Sequence, residues 1–244
     1  MVYALILAAG NGSRMKINKK KQFIKIYNKP LFIYSVDKFL KIKNVDKIYI
    51  NFNKDDENIK EILKFKIDYK KYIDKNKIVL IFNGGKERYN SVYNALNYIY
   101  DDNKINVNDK ILIHDSARPN FSIEDTKKLL NLLKKYKSIT LASKSIDTLK
   151  IIYDKKNNKN IKEIKNTLNR EYIYNIKTPQ GFNFSLLYNS YNKFMKSKTK
   201  NITDDIMVIE KFSNEKSYIL ETDKYNLKIT TKDDIDIIKK FLKK

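Results

Sequence analysis

Short apolar runs alternate with helix-like patterns along the first 142 residues, and that alternation leaves few folds open. Val2–Ala8 is a buried-strand pattern that runs into a glycine loop. Leu31–Leu40 has helical periodicity with Pro30 at its start, where a missing N–H costs little. Lys47–Phe52 reads as a strand and Glu57–Tyr69 as a helix. Lys77–Phe82 is a strand ending at Gly84-Gly85, and Asn90–Tyr100 is a helix with Val92, Leu96 and Ile99 on one face. Lys110–His114 is the next strand, Ser122 with Asp125 three residues on opens a helix to about Lys135, and Ser138–Ala142 is again a strand. Alternating β and α units imply an α/β chain with an open, mostly parallel, Rossmann-like sheet and helices on both faces.

Lys144–Tyr174 departs from this rhythm. Its polar and apolar residues alternate around a polar turn, Lys155–Asn160, which reads as a β-hairpin arm leaving the core. A hairpin of that kind is marginal alone and needs a partner. Helices near Phe184–Phe194, from Thr203 and from about Thr231, with a strand near Tyr218–Glu221, complete the chain. With no repeat and no linker, residues 1–244 read as one domain with an arm at about 144–174.

The scarce residue types gather where strands end. Of 51 Lys plus Arg, only Arg14, Arg88, Arg118 and Arg170 are arginine. The five glycines are Gly10, Gly12, Gly84, Gly85 and Gly181, and His114 is the single histidine. A guanidinium forks two donors onto a phosphate or carboxylate and an ammonium does not, so arginine against a lysine background marks a geometric task. Gly10–Arg14, Gly84–Arg88 and His114–Arg118 each follow a strand. In an open α/β sheet ligands bind beyond the carboxyl ends of the strands, so these segments fall on one edge as one candidate site.

Composition excludes several classes. With no cysteine there is no disulfide scaffold, thiolate metal site or cysteine nucleophile, which fits the cytoplasm. Val2–Ala9 lacks a positive flank and continues into Gly-Asn-Gly-Ser-Arg, so it is no signal peptide. No run approaches the roughly 18 apolar residues of a membrane span. A net charge of +23 invites a nucleic-acid reading. The lysines are spread from Lys16 to Lys244 among abundant Asn, Ile and Tyr, as an A/T-rich coding sequence gives, so no nucleic-acid partner is expected. The positive field instead speeds encounter with small anions.

The segment Leu7-Ala8-Ala9-Gly10-Asn11-Gly12-Ser13-Arg14-Met15 suits phosphate binding. Small residues let the backbone approach closely, and successive N–H groups cradle oxygens. It matches neither the Walker A pattern nor G-x-G-x-x-G, and the alternative is an ordinary strand-to-helix turn. In His114-Asp115-Ser116-Ala117-Arg118-Pro119 a strand-end carboxylate is placed to hold Mg²⁺, with Arg118 to orient it; the alternative is a structural Asp–Arg pair. His114 alone reads as a structural residue. Gly84-Gly85-Lys86-Glu87-Arg88 and Ser91 suit a base or ribose, or a plain turn. Thr203 could simply be a helix N-cap, and Lys228 is one lysine of many.

Taken in order, these segments resemble the 2-C-methyl-D-erythritol 4-phosphate cytidylyltransferase family, a nucleotidyltransferase-fold family, over nearly the whole chain. The resemblance rests on L-A-A-G-x-G-x-R-M with Lys21-Gln22, H-D-x-A-R-P, Asp147-Thr148 and Thr178-Pro179-Gln180. It implies CMP transfer from CTP to methylerythritol phosphate with Mg²⁺, and a homodimer whose arms reach across to the partner. It further implies that Ala8, Ala9, Gly10, Gly12, Ser13, Gly84, Gly85, Lys86 and Ser91 bind nucleotide, while Arg14, Lys21 and Lys228 are catalytic. Asp115, Arg170, Thr178, Thr203 and Lys228 would bind acceptor, with Asp115 also the metal ligand and Arg170 supplied by the partner's arm. Lys86 departs from a common acidic residue, Ser116 from Ala and Tyr174 from Trp.

The chemistry needs no general base. A phosphate monoester is largely dianionic near pH 7, so positioning and charge neutralisation suffice. A ribitol 5-phosphate cytidylyltransferase on the same fold is the nearest rival, but that branch tends towards H-D-A-V-R-P, whereas Ala117 precedes Arg118 here. A non-enzymatic nucleic-acid-binding protein is the remote one.

Overall fold

A computed structural model describes residues 1–10, 20–153, 161–222 and 225–242. Strands β1 (Val2–Leu7), β4 (Lys47–Asn51), β5 (Ile78–Ile81), β6 (Lys110–Asp115), β7 (Ser138–Lys144), β10 (Tyr174–Asn183) and β11 (Tyr218–Glu221) form a seven-stranded sheet in the order β11-β7-β10-β6-β1-β4-β5. Short pairs β2 (Lys25–Ile26) with β3 (Lys29–Pro30), and β8 (Lys150–Ile152) with β9 (Ile164–Thr167), stand apart from it. All neighbours in the main sheet are parallel except those of β10, which is antiparallel to both β6 and β7.

Strand periodicity divides the core between two faces. Ala4 and Ile6 of β1, with Ile48 and Ile50 of β4, pack under α1 (Leu31–Leu40), α2 (Lys60–Asp68) and α5 (Ile123–Leu132). Tyr3 and Leu5, with Tyr49 and Ile111, pack under α4 (Arg88–Asp102), α6 (Phe184–Lys196) and α7 (Asp205–Phe212). A short α3 (Lys70–Asp74) follows α2, and α8 (Asp233–Leu242) closes a third cluster of Ile26, Leu31, Ile229 and Ile238. The expected sheet of β and α units is therefore present, with boundaries close to those read from periodicity.

Strand β10 has no counterpart in the periodicity reading. Pro179 and Gly181 break its strand pattern, and a proline is normally confined to edges and bulges. The structure meets that rule with a bulge. Between the Ile176–Ala142 and Gln180–Thr140 pairs, Lys177, Thr178 and Pro179 stand opposite a single residue of β7. The arm leaves and returns at the Lys144–Tyr174 pair, and its β8 and β9 residues are exposed.

Sheet register sets the site. Leu7 at the end of β1 lies beside Asn51 of β4 and Asp115 of β6, and Asn51 lies beside Ile81 of β5. Four strands thus end along one edge. The chain order reverses around β1, with β4 and β5 on one side and β6 on the other. That reversal opens a crevice beyond the strand ends.

Candidate active site

Two adjoining clefts occupy this crevice. The first, of about 270 Å³, is walled by Ala9, Gly10, Lys21, Gly85, Lys86 and Ser91. The second, of about 540 Å³, is walled by Arg118, Thr140, Thr178, Gln180, Thr203 and Asp204. Arg88, Asp115 and Lys228 line both. These three residues, from the start of α4, the end of β6 and the loop before α8, form a shared ionic floor.

Asp115 is the centre of that floor. Lys228 donates from Nζ to Oδ2 at 2.6 Å, and Arg88 donates from Nε to Oδ1 at 3.1 Å. Arg118 does not orient Asp115 as the sequence suggested. Its guanidinium instead donates to the carbonyls of Asn226 at 2.7 Å and Ile176 at 3.4 Å, tying the loop before α8 to the β10 bulge. Burial works against ionisation of Asp115, but the facing Arg88 and Lys228 charges overcome it and hold the carboxyl well below the usual carboxylate range.

The bulge in β10 carries Thr178 into the site. Its Oγ1 accepts from the Asp115 backbone N–H at 3.2 Å and lies 3.0 Å from His114 Nδ1. On its other side, His114 Nε2 is 3.2 Å from Ser35 Oγ. Burial above all pushes the imidazole down to about 3, so the ring is neutral and structural, in agreement with its reading from sequence.

The residues expected to bind nucleotide divide into three sets. Ala9, Gly10, Gly85, Lys86 and Ser91 line the first cleft together with Lys21, whose Nζ donates to the Ile229 carbonyl at 3.2 Å. Ala8 is buried in the core beneath the cleft, and Gly84 is not in its wall. A Cβ on Gly84 would meet Asn53 Oδ1 at 2.3 Å and Ala9 Cβ at 2.5 Å, so this glycine lets the loops pack on each other. Gly12, Ser13 and Arg14 lie outside the described residues. Ser91 Oγ accepts from the Gly85 N–H at 3.0 Å, which fixes the loop ahead of α4.

Of the residues expected to bind acceptor, Thr178, Thr203, Asp115 and Lys228 line the second cleft and Arg170 does not. Arg170 is exposed at the base of the arm and donates to the Ile146 carbonyl at 3.2 Å. Thr203 is not a helix cap; Asp204 takes that role for α7 by accepting from the Met207 N–H at 3.1 Å.

The task of Arg88 is not legible in the sequence beyond its rarity as one of four arginines. Its Nη1 and Nη2 fork onto Asp205 Oδ1 and Oδ2 at 3.1 and 2.7 Å. Burial disfavours the Arg88 charge, and Asp205 with Asp115 more than restores it. Tyr191, one tyrosine among 18, carries no comparable signal in the sequence; its hydroxyl donates to Asp205 Oδ1 at 2.6 Å.

Among the described residues no three of His, Cys, Asp and Glu converge as a metal cage. Asp115 keeps lone pairs on both oxygens after its two ion pairs. This single carboxylate fits an ion such as Mg²⁺, which binds through one or two carboxylates and takes its other ligands from phosphate and water. The arrangement can therefore hold two phosphorylated groups across one cationic floor and stabilise charge that builds between them.

The whole chain is similar to proteins of one enzyme family. A model of the 2-C-methyl-D-erythritol 4-phosphate cytidylyltransferase (IspD) family matches residues 2–244. A protein of that name from Clostridium botulinum (strain Eklund 17B / Type B) is 36% identical over 241 residues, 97% of each chain. The crystal structure of 4-diphosphocytidyl-2C-methyl-D-erythritol synthase from Anaerococcus prevotii DSM 20548 is similar with a TM-score of 0.79 and 32% identity, covering 100% of this chain and 96% of that one. The Francisella tularensis 2-C-methyl-D-erythritol 4-phosphate cytidylyltransferase is similar with a TM-score of 0.75 and 28% identity, covering 97% of both.

Proposed function

We propose how the clefts work from one premise: this chain belongs to the 2-C-methyl-D-erythritol 4-phosphate cytidylyltransferase family. It is a cytidylyltransferase that moves CMP from CTP to 2-C-methyl-D-erythritol 4-phosphate, giving 4-diphosphocytidyl-2-C-methyl-D-erythritol and pyrophosphate, in non-mevalonate isoprenoid precursor synthesis.

CTP occupies the first cleft and the acceptor the second. The observation that carries this assignment is the shared floor, because Lys228 and Asp115 stand in both walls. An acceptor phosphate oxygen attacks the α-phosphorus, the bond from that phosphorus to the bridging oxygen breaks, and pyrophosphate leaves. The acceptor oxygen is already ionised, so no base is required. Arg14 and Lys21 act on the triphosphate, Lys228 draws the acceptor phosphate towards it, and Ala9, Gly10, Gly12, Ser13, Gly85 and Ser91 bind the nucleotide. Thr178, Thr203 and Asp115 receive the acceptor. Neutralising charge that accumulates in the transition state supplies the rate.

Asp115 is the residue that would hold Mg²⁺, which would supply withdrawal of charge from the phosphates. Pyrophosphate release unaffected by a chelator would remove the metal from this scheme. The enzyme is one domain, works in the cytoplasm and acts as a homodimer through the arm at 144–174, with Arg170 completing the partner's acceptor cleft. Support for the arm comes from exposed Ile146, Ile161, Ile164 and Tyr172, an apolar set that gains by burial against a second copy.

Pyrophosphate release from CTP and Mg²⁺ tests the reaction, with methylerythritol 4-phosphate and ribitol 5-phosphate in parallel. Turnover with the first is the expected result. Turnover with the second alone would keep the mechanism and overturn the acceptor.

A further inference from the structure

Arg88 commits three N–H groups to two carboxylates, Nε to Asp115 and both Nη atoms to Asp205. Asp205 is fully buried and lines neither cleft. Its backbone N–H donates to Gln180 Oε1 at 3.1 Å, and Gln180 Nε2 donates to Asp204 Oδ2 at 2.9 Å. Thr203 and Asp204, immediately before it in the chain, are part of the second cleft. A single guanidinium therefore ties the carboxylate at the end of β6 to the start of α7, where the acceptor wall begins.

We propose that Arg88 and Asp205 are positioning residues for the acceptor, fixing the Asp115 carboxylate and the Thr203–Asp204 wall in one frame. The proposal builds on the acceptor assignment of the second cleft. Only a planar fork with a third donor can serve both carboxylates at these distances, and an ammonium at residue 88 could not. Tyr191 holds the Asp205 carboxylate and Gln180 holds its backbone N–H, which together fix the acid that the guanidinium forks onto. A pair kept only for stability would be replaceable by apolar side chains, since removing both members of a buried ion pair is often neutral or stabilising.

That difference supplies the test. The double variant Arg88→Met with Asp205→Leu and the single variant Tyr191→Phe are assayed by pyrophosphate release, with KM measured separately for CTP and acceptor. Thermal melting is followed alongside. Tyr191 lines neither cleft, so its hydroxyl reaches the acceptor only through Asp205. The double variant is expected to melt near the wild type with acceptor KM raised about tenfold or more, the equivalent of one charge-assisted hydrogen bond. Tyr191→Phe is expected to raise acceptor KM by a few-fold and leave CTP KM unchanged. Wild-type acceptor KM in Tyr191→Phe, or a double variant that folds with wild-type kinetics, overturns the positioning role. So does an equal rise in both KM values in Tyr191→Phe, which lines neither cleft. Should the double variant fail to fold, Tyr191→Phe alone decides. The wild-type enzyme in the same assay separates the two readings, because turnover there with unchanged variants defeats this inference and leaves the reaction standing.

Discussion

His114 is the single histidine of the chain, so one group governs stability between pH 7 and pH 5. It is fully buried against the rings of Phe39 and Phe121, with Ser35 and Thr178 at its two nitrogens. Burial pushes the ring down to about 3; Asp115 opposes this, and Arg118 and Lys38 add to it. An unfolded histidine titrates near 6.5. The folded value is depressed, so the stability is fully present above 6.5 and is lost as pH falls from there towards 3. Within that window the unfolded chain binds one more proton, and each pH unit removes about 1.4 kcal/mol. Between pH 7 and pH 5 the loss is therefore about 2 kcal/mol, a sizeable part of an ordinary domain's stability. Unfolded carboxylates titrate near 4 and contribute little above pH 5. Urea midpoints at half-unit steps across this range, for wild type and His114→Asn, measure the effect. The wild type is expected to fall along this slope, whereas the variant starts lower and stays level. A flat wild-type curve, or an equal slope in the variant, would refute the assignment to His114.

Lys21→Ala is expected to lower kcat by about 10²- to 10³-fold, as for loss of a transition-state charge contact, while melting temperature barely moves. Near-normal turnover would remove Lys21 from the chemistry. In the proposed homodimer, Arg170→Ala is expected to raise acceptor KM. Refolded as a mixture with Lys21→Ala, it should recover about a quarter of wild-type activity, because half the dimers then hold one complete site under two-fold symmetry. No recovery on mixing would show that Arg170 does not act across the interface.

Legibility from sequence followed the range of each interaction. Leu31–Leu40 and Ser122 were readable because periodicity and capping act within a few residues. The common edge of Gly10, Gly85 and Asp115 was readable because topology brings strand ends together. β10 was hidden because it carries Pro179 in its bulge and Gly181 in the regular ladder beyond it, two residues that ordinarily argue against a strand. The partner of Asp115 was misassigned for a related reason. Arg118 is three residues away and looked like the local choice, yet its guanidinium reaches the Asn226 and Ile176 carbonyls. Lys228 and Arg88, 113 and 27 residues away, took the carboxylate instead.

That substitution of distant for local partners has a chemical consequence. A carboxylate paired only to its neighbour in the same loop would move with that loop. Asp115 is instead held from the start of α4 and from the segment before α8, on opposite oxygens. Two cations from separate elements keep it ionised and fix its plane, and they carry the positive charge that two phosphates need when brought together. The acidic residue at the centre thus gathers cations without cancelling their use: Lys228 remains one-third exposed and Arg88 about one-quarter, both facing the clefts they share. A floor built this way resists the repulsion between its own cations before substrate arrives, because each is drawn to Asp115 or Asp205. Sequence rarity pointed to the arginine, but only the fold could supply the two carboxylates that give it a direction.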